Sequence, residues 1–333
     1  MADARRRITL RPSGLEFTAS PTQDLLSAAA ESGIAVPSAC RNGVCELCEA
    51  RLIAGQARNT RNQQIIIPAT PLMLCRAQAE GPLELEIEAV MAAGQNSPQK
   101  MQAKVVDVRL IGHDVYRVEL KLPRRRELTF HAGQYLSVLL PDSEPSYFSI
   151  ASRPSAQHIE LHVQAAPEWA SAQRIIDTLK TADSVAVELP HGKACLAAAP
   201  EKPLLLVAAG TGFAQMKSIV DYLRETRFDQ SVSLYWGVRR QDDMYLGDLA
   251  QQWQDDWAPF NFVPVVGDSA DNDWSGHHDQ LVRAVLASGS DWRNVEVHAS
   301  GSPAMVYTLL DALVAEGLPP SAFFSDVLEY APR

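Results

Sequence analysis

Residues 38–55, SACRNGVCELCEARLIAG, place three of the chain's five cysteines close together: Cys40, Cys45 and Cys48. A fourth, Cys75, follows in PLMLCRAQ (71–78). Thiolates are soft ligands, so a cluster of them points to zinc or to iron and sulfide. Structural zinc sites usually draw on two short Cys/His pairs. This stretch is instead a C-x4-C-x2-C run with one distant partner, the spacing that wraps a [2Fe–2S] cluster. Such a cluster is larger than one ion, so the loop must bend around it with backbone N–H groups toward sulfur. Gly43, with small Ala39 and Val44 nearby, permits that approach. A single zinc ion and a loop of buried free thiols are the alternatives.

The whole chain sets the frame. Its 333 residues are 46% hydrophobic and 21% charged, the profile of a soluble globular protein long enough for two or three domains. A net charge of −10 argues against a nucleic-acid partner, whose phosphates are bound by Lys and Arg. No apolar run approaches the roughly 20 residues that span a bilayer. No apolar segment follows the basic start MADARRR, so export is not expected. An odd, low cysteine count suits a reducing cytoplasm, where clustered thiols are ligands rather than disulfides.

Organisation follows from periodicity. ITLRPSGLEFTA reads as two strands around Ser13 and Gly14, and TQDLLSAAAESGI as a helix capped at Thr22 and ended at Gly33. Residues 1–91 form one domain, and the polar, turn-rich 92–100 are a linker. From 101 to 199 six strand patterns separated by turn signals, with one helix in SAQRIIDTLK, predict an antiparallel β-barrel. From 200 to 333 apolar strands alternate with amphipathic helices, predicting a doubly wound parallel α/β sheet. The chain is thus multi-domain α+β.

In that last region the apolar strand LLLVAA runs into Gly210, Thr211, Gly212 and Phe213 and then a helix. Small residues there let a dinucleotide's pyrophosphate reach N–H groups at a helix start. An ordinary tight turn is the alternative. LYWGVRR places Trp236, Gly237 and Arg239 at the carboxyl end of the next strand, where open α/β sheets bind ligands. Cys195 reads as a small buried hydrophobe. His113, His131, His277 and His278 lack ligand spacing and read as surface or loop residues.

Residues 8–90 resemble a plant-type ferredoxin domain, a β-grasp fold. The whole chain is similar to the [2Fe–2S]/flavin/NAD(P)H reductases of the ferredoxin-reductase superfamily, above all to the CDP-6-deoxy-glucoseen reductases. IELHV, PHGKACL, GTGF, YWG and FFSD also resemble bacterial NAD(P)H:flavin reductases. The resemblance implies that Cys40, Cys45, Cys48 and Cys75 hold the cluster and that the barrel binds FAD. Tyr147, Phe148 and Ser149 would meet the flavin ring, with the Ser149 hydroxyl near the atom that receives hydride and therefore catalytic. His162, Val163 and Gln164 would line it from the next strand. Gly210, Thr211, Gly212, Phe213, Trp236, Gly237 and Arg239 would hold NADH or NADPH. Ser300 and Gly301, in HASGSPAMV, would flank the nicotinamide, and Asp326, in FFSDVLEY, would sit in the segment covering the flavin.

Three positions depart from that pattern. Ser146 stands where the family has a flavin-phosphate arginine, Ser300 where many members have cysteine, and Leu328 where an aromatic is usual, with Tyr330 close by.

Nicotinamide gives up two electrons as hydride, whereas a [2Fe–2S] centre accepts one at a time; a flavin between them reconciles the two. The expected function is electron transfer from NAD(P)H through flavin and cluster to a partner dehydratase, oxygenase or hydroxylase. Two alternatives stay open: a reductase of free flavin or another small acceptor, and a non-enzymatic iron–sulfur carrier.

Overall fold

The computed structural model describes residues 5–34, 36, 38, 42–44, 46, 48–87, 90, 98–123, 130–141, 143–198, 200–267 and 278–333. Cys40, Cys45 and His277 lie outside these. The chain divides into two compact units, Met1–Ser97 and Pro98–Arg333.

In the first unit β1 (Arg6–Arg11) and β2 (Glu16–Ala19) pair antiparallel around the Gly14 turn. Alternation along β1 turns Ile8 and Leu10 inward, both fully buried. α1 (Leu25–Glu31) is capped by Asp24, whose carboxylate accepts from the Ser27 N–H at 2.9 Å. The cap is therefore not Thr22: a carboxylate one residue before the helix reaches that orphan N–H, and a hydroxyl two residues further back does not. The chain continues through β3 (Glu49–Ala54), β4 (Ala57–Asn59), β5 (Ile65–Ile66), β6 (Pro71–Met73), a single 3-10 turn at Leu74–Arg76, β7 (Ala77–Ala79) and β8 (Leu83–Glu86). The main sheet runs β2-β1-β8-β3-β6 with β1 and β8 parallel, beside a small β5-β4-β7 sheet. Leu25 and Leu26 of α1 join Leu52, Leu74 and Leu85 in one core, the β-grasp arrangement.

The second unit opens with an antiparallel sheet: β9 (Gln99–Leu110), β10 (Val115–Lys121), β11 (Tyr135–Leu139), β12 (Ser146–Ser149), β13 (Ile159–Gln164) and β14 (Ser184–His191), with α2 (Ala170–Thr181) between the last two. Its order is β12-β11-β14-β9-β10-β13, and a bridge from Ile150 to Leu161 brings the two edges together, so the barrel is nearly closed. β9 begins at Gln99, two residues ahead of the expected strand region.

β15 (Leu204–Ala209), α3 (Phe213–Glu225), β16 (Val232–Val238), α4 (Gly247–Asp256), β17 (Phe260–Val266), α5 (Asp279–Leu286), β18 (Glu296–Ser300), α6 (Pro303–Ala315), β19 (Phe323–Phe324) and α7 (Val327–Tyr330) complete the chain. The parallel order is β17-β16-β15-β18-β19. Every residue of β15 is buried because helices cover both faces: Leu204, Leu206 and Ala208 pack with α3, while Leu205, Val207 and Ala209 pack with α5 and α6. The order reverses between β15 and β18, so their carboxyl ends open the crevice where such sheets bind ligands.

Candidate functional site

The cluster loop is described in part. Cys48 and Cys75 are 2% and 8% exposed, and their sulfurs are 3.4 Å apart. A disulfide needs about 2.05 Å. Two thiolates on one tetrahedral metal with bonds of about 2.3 Å stand about 3.8 Å apart, so these residues fit a shared metal atom. The Leu74 N–H donates to the Cys48 carbonyl at 3.0 Å and fixes the pair. Gly43 takes φ +81°, and a Cβ there would lie 3.0 Å from Arg76 Cγ, so the loop turns tightly at glycine. Val44, at the tip, is 71% exposed.

In the second unit, two adjoining cavities of about 540 and 580 Å³ form one cleft between barrel and parallel sheet. They share Tyr147, Phe148, Ser149, Ser300 and Gly301. A third, of about 420 Å³, shares Gln164, Gly210 and Thr211 with the second and reaches Gly237 and Arg239. Most of the residues picked from sequence therefore meet along one groove. Ser149 lies opposite Tyr135 in the β11–β12 ladder, and Tyr147 opposite Ser137, which puts the serine and tyrosine on one face. Gln164 donates to Asp114 at 2.9 Å.

The GTG turn carries the sharpest steric constraint. Gly210 has φ +53° and open space above it. No side chain caps the start of α3, which leaves its first N–H groups for an anion. At Gly301 a Cβ would lie 2.4 Å from the flexible Met305 Cε and 2.9 Å from Ala209 Cβ.

Three residues expected to touch cofactor line none of these cavities. Val163, Phe213 and Trp236 are fully buried. Val163 points into the barrel core. Phe213 and Trp236 stack with centroids 3.9 Å apart, and Trp236 Nε1 donates to the Gly210 carbonyl at 2.9 Å. Their large apolar area is worth more under the turn than on it, so they brace it.

Asp326 lines the 540 Å³ cavity with Tyr135 and Ser149. Burial pushes its carboxyl up to about 7, although the Ala194 N–H and Gln215 Nε2 donate to it at 3.3 and 3.1 Å. Gln215 also donates to the carbonyls of Gly133 and Ala194, tying the turn before β11, the segment after β14 and the C-terminal segment together. Cys195 is half-buried, and burial, with Asp326 and Glu329 nearby, pushes its thiol up to about 12, which suits its inert reading.

Sequence reasoning missed Tyr135, His191, Gln215 and Tyr245, which line the groove, and read His113 and His278 as bland although both line its Arg239 end. Tyr135 stacks on His191 at 5.4 Å, and the His191 Nε2 is buried with no hydrogen-bond partner among the described residues. A buried ring nitrogen that makes no hydrogen bond among those residues, with Glu188 Oε2 at 3.7 Å, beside an aromatic-walled cleft suits a ring system bearing polar edges, so these residues fit a flavin.

Three family models match the chain in order: a 2Fe-2S iron-sulfur cluster binding domain at 8–80, an oxidoreductase FAD-binding domain at 102–195 and an oxidoreductase NAD-binding domain at 206–309. The CDP-6-deoxy-L-threo-D-glycero-4-hexulose-3-dehydrase reductase of Yersinia pestis is 30% identical over 323 residues, 96% of this chain and 97% of that protein. Reductase component 2 of the terephthalate 1,2-dioxygenase of a Comamonas species is 29% identical over 330 residues, 98% of each. Among solved structures, the cytochrome P450 reductase GcoB of Amycolatopsis matches in fold with TM-score 0.62 at 23% identity, covering 96% of this chain and 98% of that one. With thiols, cleft and glycine turn in the same order as those domains, the chain belongs to the NAD(P)H-dependent reductases that carry FAD and a [2Fe–2S] cluster on one polypeptide.

Proposed function

We propose that this chain is the reductase component of a multi-protein system in the cytoplasm, drawing electrons from NAD(P)H and delivering them singly to a partner oxygenase, hydroxylase or dehydratase. The groove joining Ser149, Gly210 and Arg239 carries the reading, because it offers one continuous seat for two cofactors end to end. Bound flavin supplies the chemistry that converts a hydride into two separate electrons.

The residues divide that work. Ser149 donates a hydrogen bond at the ring edge, and Tyr147 and Phe148 pack along the ring, with His162 and Gln164 as the adjoining wall. N–H groups at Gly210–Gly212 bind the dinucleotide pyrophosphate, and Arg239 meets its adenosine end. Ser300 and Gly301 hold the nicotinamide against the flavin side of the groove. Asp326 stores or releases a proton there. Cys40, Cys45, Cys48 and Cys75 would hold the two-iron cluster, which would supply the one-electron step, the Cys48 and Cys75 sulfurs standing close enough to serve one metal atom. The domains responsible are 1–91, 101–199 and 200–333.

Anaerobic titration of the purified chain with NADH tests this. Flavin absorbance should bleach first and cluster absorbance after it, with iron, sulfide and flavin near two, two and one per chain. A chain that oxidises NAD(P)H only when free flavin is added, its cluster staying oxidised, overturns the reading. Ser146 favours that second outcome, since a missing arginine–phosphate fork forfeits roughly 1.5–3 kcal/mol of flavin binding.

A further inference from the structure

His162 walls the groove between Ser149 and Gly210, yet protein groups engage both of its ring nitrogens. Nε2 lies 2.8 Å from Glu160 Oε1, and Nδ1 lies 3.0 Å from the Tyr245 hydroxyl. Glu160 Oε2 is 3.4 Å from Lys217 Nζ, which stands 3.0 Å from Asp221 Oδ2. Glu160 and His162 belong to β13, Lys217 and Asp221 to α3, and Tyr245 to the segment before α4. The bonds therefore cross from the barrel to the parallel sheet.

The chemistry of each group orients the chain of bonds. A carboxylate only accepts, so Nε2 of His162 carries the ring's hydrogen and Nδ1 is left to accept from Tyr245. Burial holds the imidazole below its ordinary range despite Glu160, and Lys217 and Arg117, its cross-strand neighbour, act the same way. Burial opposes the charge of Glu160, but the His162 hydrogen bond, Lys217 and Arg117 outweigh it and hold the carboxyl down to about 2. Burial, with the charge of Glu160, pushes the Tyr245 hydroxyl well up, so it keeps its proton. The hydrogens run from Tyr245 to His162 to Glu160, and Lys217 closes the far end.

Tyr245 is held from both sides. A Cβ on Gly112, in the β9–β10 turn, would lie 2.6 Å from Tyr245 Cβ, so the barrel presses on it there. Its ring contacts Phe213 and Trp236, the pair that braces the GTG turn, at 6.0 and 5.3 Å between centroids. Tyr245 thus touches the pair that stands beneath Gly210.

We propose that Tyr245, His162 and Glu160 form a latch that sets the spacing of the Gly210 edge against the Ser149 edge, making His162 a positioning residue for hydride transfer. The inference rests on the function proposed above for the groove. Reacting atoms must come within about 3–3.5 Å, and a misplacement of about 1 Å costs on the order of a hundredfold in rate. A histidine with both nitrogens committed to protein supplies stiffness at that point rather than a contact to ligand.

Two measurements on the full chain test the latch. Nitrogen-15 NMR of histidine-labelled protein should show one ring with a protonated Nε2 and a bare Nδ1, unchanged from about pH 8 to about pH 6; loss of its signals in His162→Gln assigns them. In Tyr245→Phe the bare Nδ1 loses its hydrogen-bond donor, so its nitrogen-15 resonance should shift while the ring, still buried, stays neutral. In stopped-flow reduction by NADH, Tyr245→Phe should slow flavin reduction about tenfold or more, with flavin affinity within about twofold. A His162 that carries its hydrogen on Nδ1 or titrates freely in the parent chain overturns the latch. So does a Tyr245→Phe chain with the parent's rate and the parent's Nδ1 resonance, and if that variant does not fold, the parent's tautomer decides. A parent chain that never passes hydride to flavin sinks the functional reading instead, and the NMR result still judges the bonds.

Discussion

Gly212 lies directly against Ser300: a Cβ at 212 would stand 2.2 Å from the Ser300 carbonyl oxygen. The turn that opens α3 and the end of β18 touch through backbone, across the crevice where the strand order reverses.

Gly212→Ala must force those two backbones apart, since no flexible side chain is there to give way. We expect a loss of stability of about 1–3 kcal/mol and a rise in the KM for NAD(P)H, with cluster absorbance unchanged. Thermal melting and steady-state kinetics check this, and an alanine chain with the parent's KM contradicts it.

Cys75→Ser removes one of two sulfurs 3.4 Å apart. Visible cluster absorbance should fall away and one-electron delivery with it, while flavin reduction by NAD(P)H persists because the groove lies in the other unit. Iron and sulfide analysis alongside single-turnover flavin bleaching separates the two effects.

Burial pushes the Asp326 carboxyl up from 3.8 to about 7 in the fold. A folded value above the unfolded one means that the contribution to stability is fully present below about pH 4 and is lost as pH rises through about 7. Asp326→Asn stays neutral, so its melting temperature relative to the parent should climb between about pH 4 and about pH 7 and level off above. A flat difference across that range would place the carboxylate in water.

Ser146→Arg restores a guanidinium on the same side of β12 as Phe148, which walls the cleft. A charge-assisted contact to a flavin phosphate, worth roughly 1.5–3 kcal/mol, should tighten flavin binding about tenfold to a hundredfold. Fluorescence titration of the flavin-free chain reads this, and unchanged affinity would mean that another cation already serves the phosphate.

What could be read along the chain was whatever local spacing imposes. The C-x4-C-x2-C run, the fully apolar β15 and the alternation in β1 each follow from a constraint acting within a few residues: ligand reach, two-sided burial, and the two-residue pleat. The helix cap went to Asp24 rather than Thr22 because a single hydrogen bond chose between near neighbours.

Sequence by itself determined the three kinds of module, their order, the thiols and the glycine turn, because those depend on covalent spacing and hydrophobic period. Only the tertiary structure decided that Trp236 and Phe213 lie beneath the turn and not on it, that Gln215 binds three segments at Asp326, and that His162 spends both nitrogens on protein. Each of those outcomes depends on partners far away in the chain, 111 residues from Gln215 to Asp326 and 83 from His162 to Tyr245. Burial and hydrogen-bond geometry at such separations are set by packing, which no local pattern encodes.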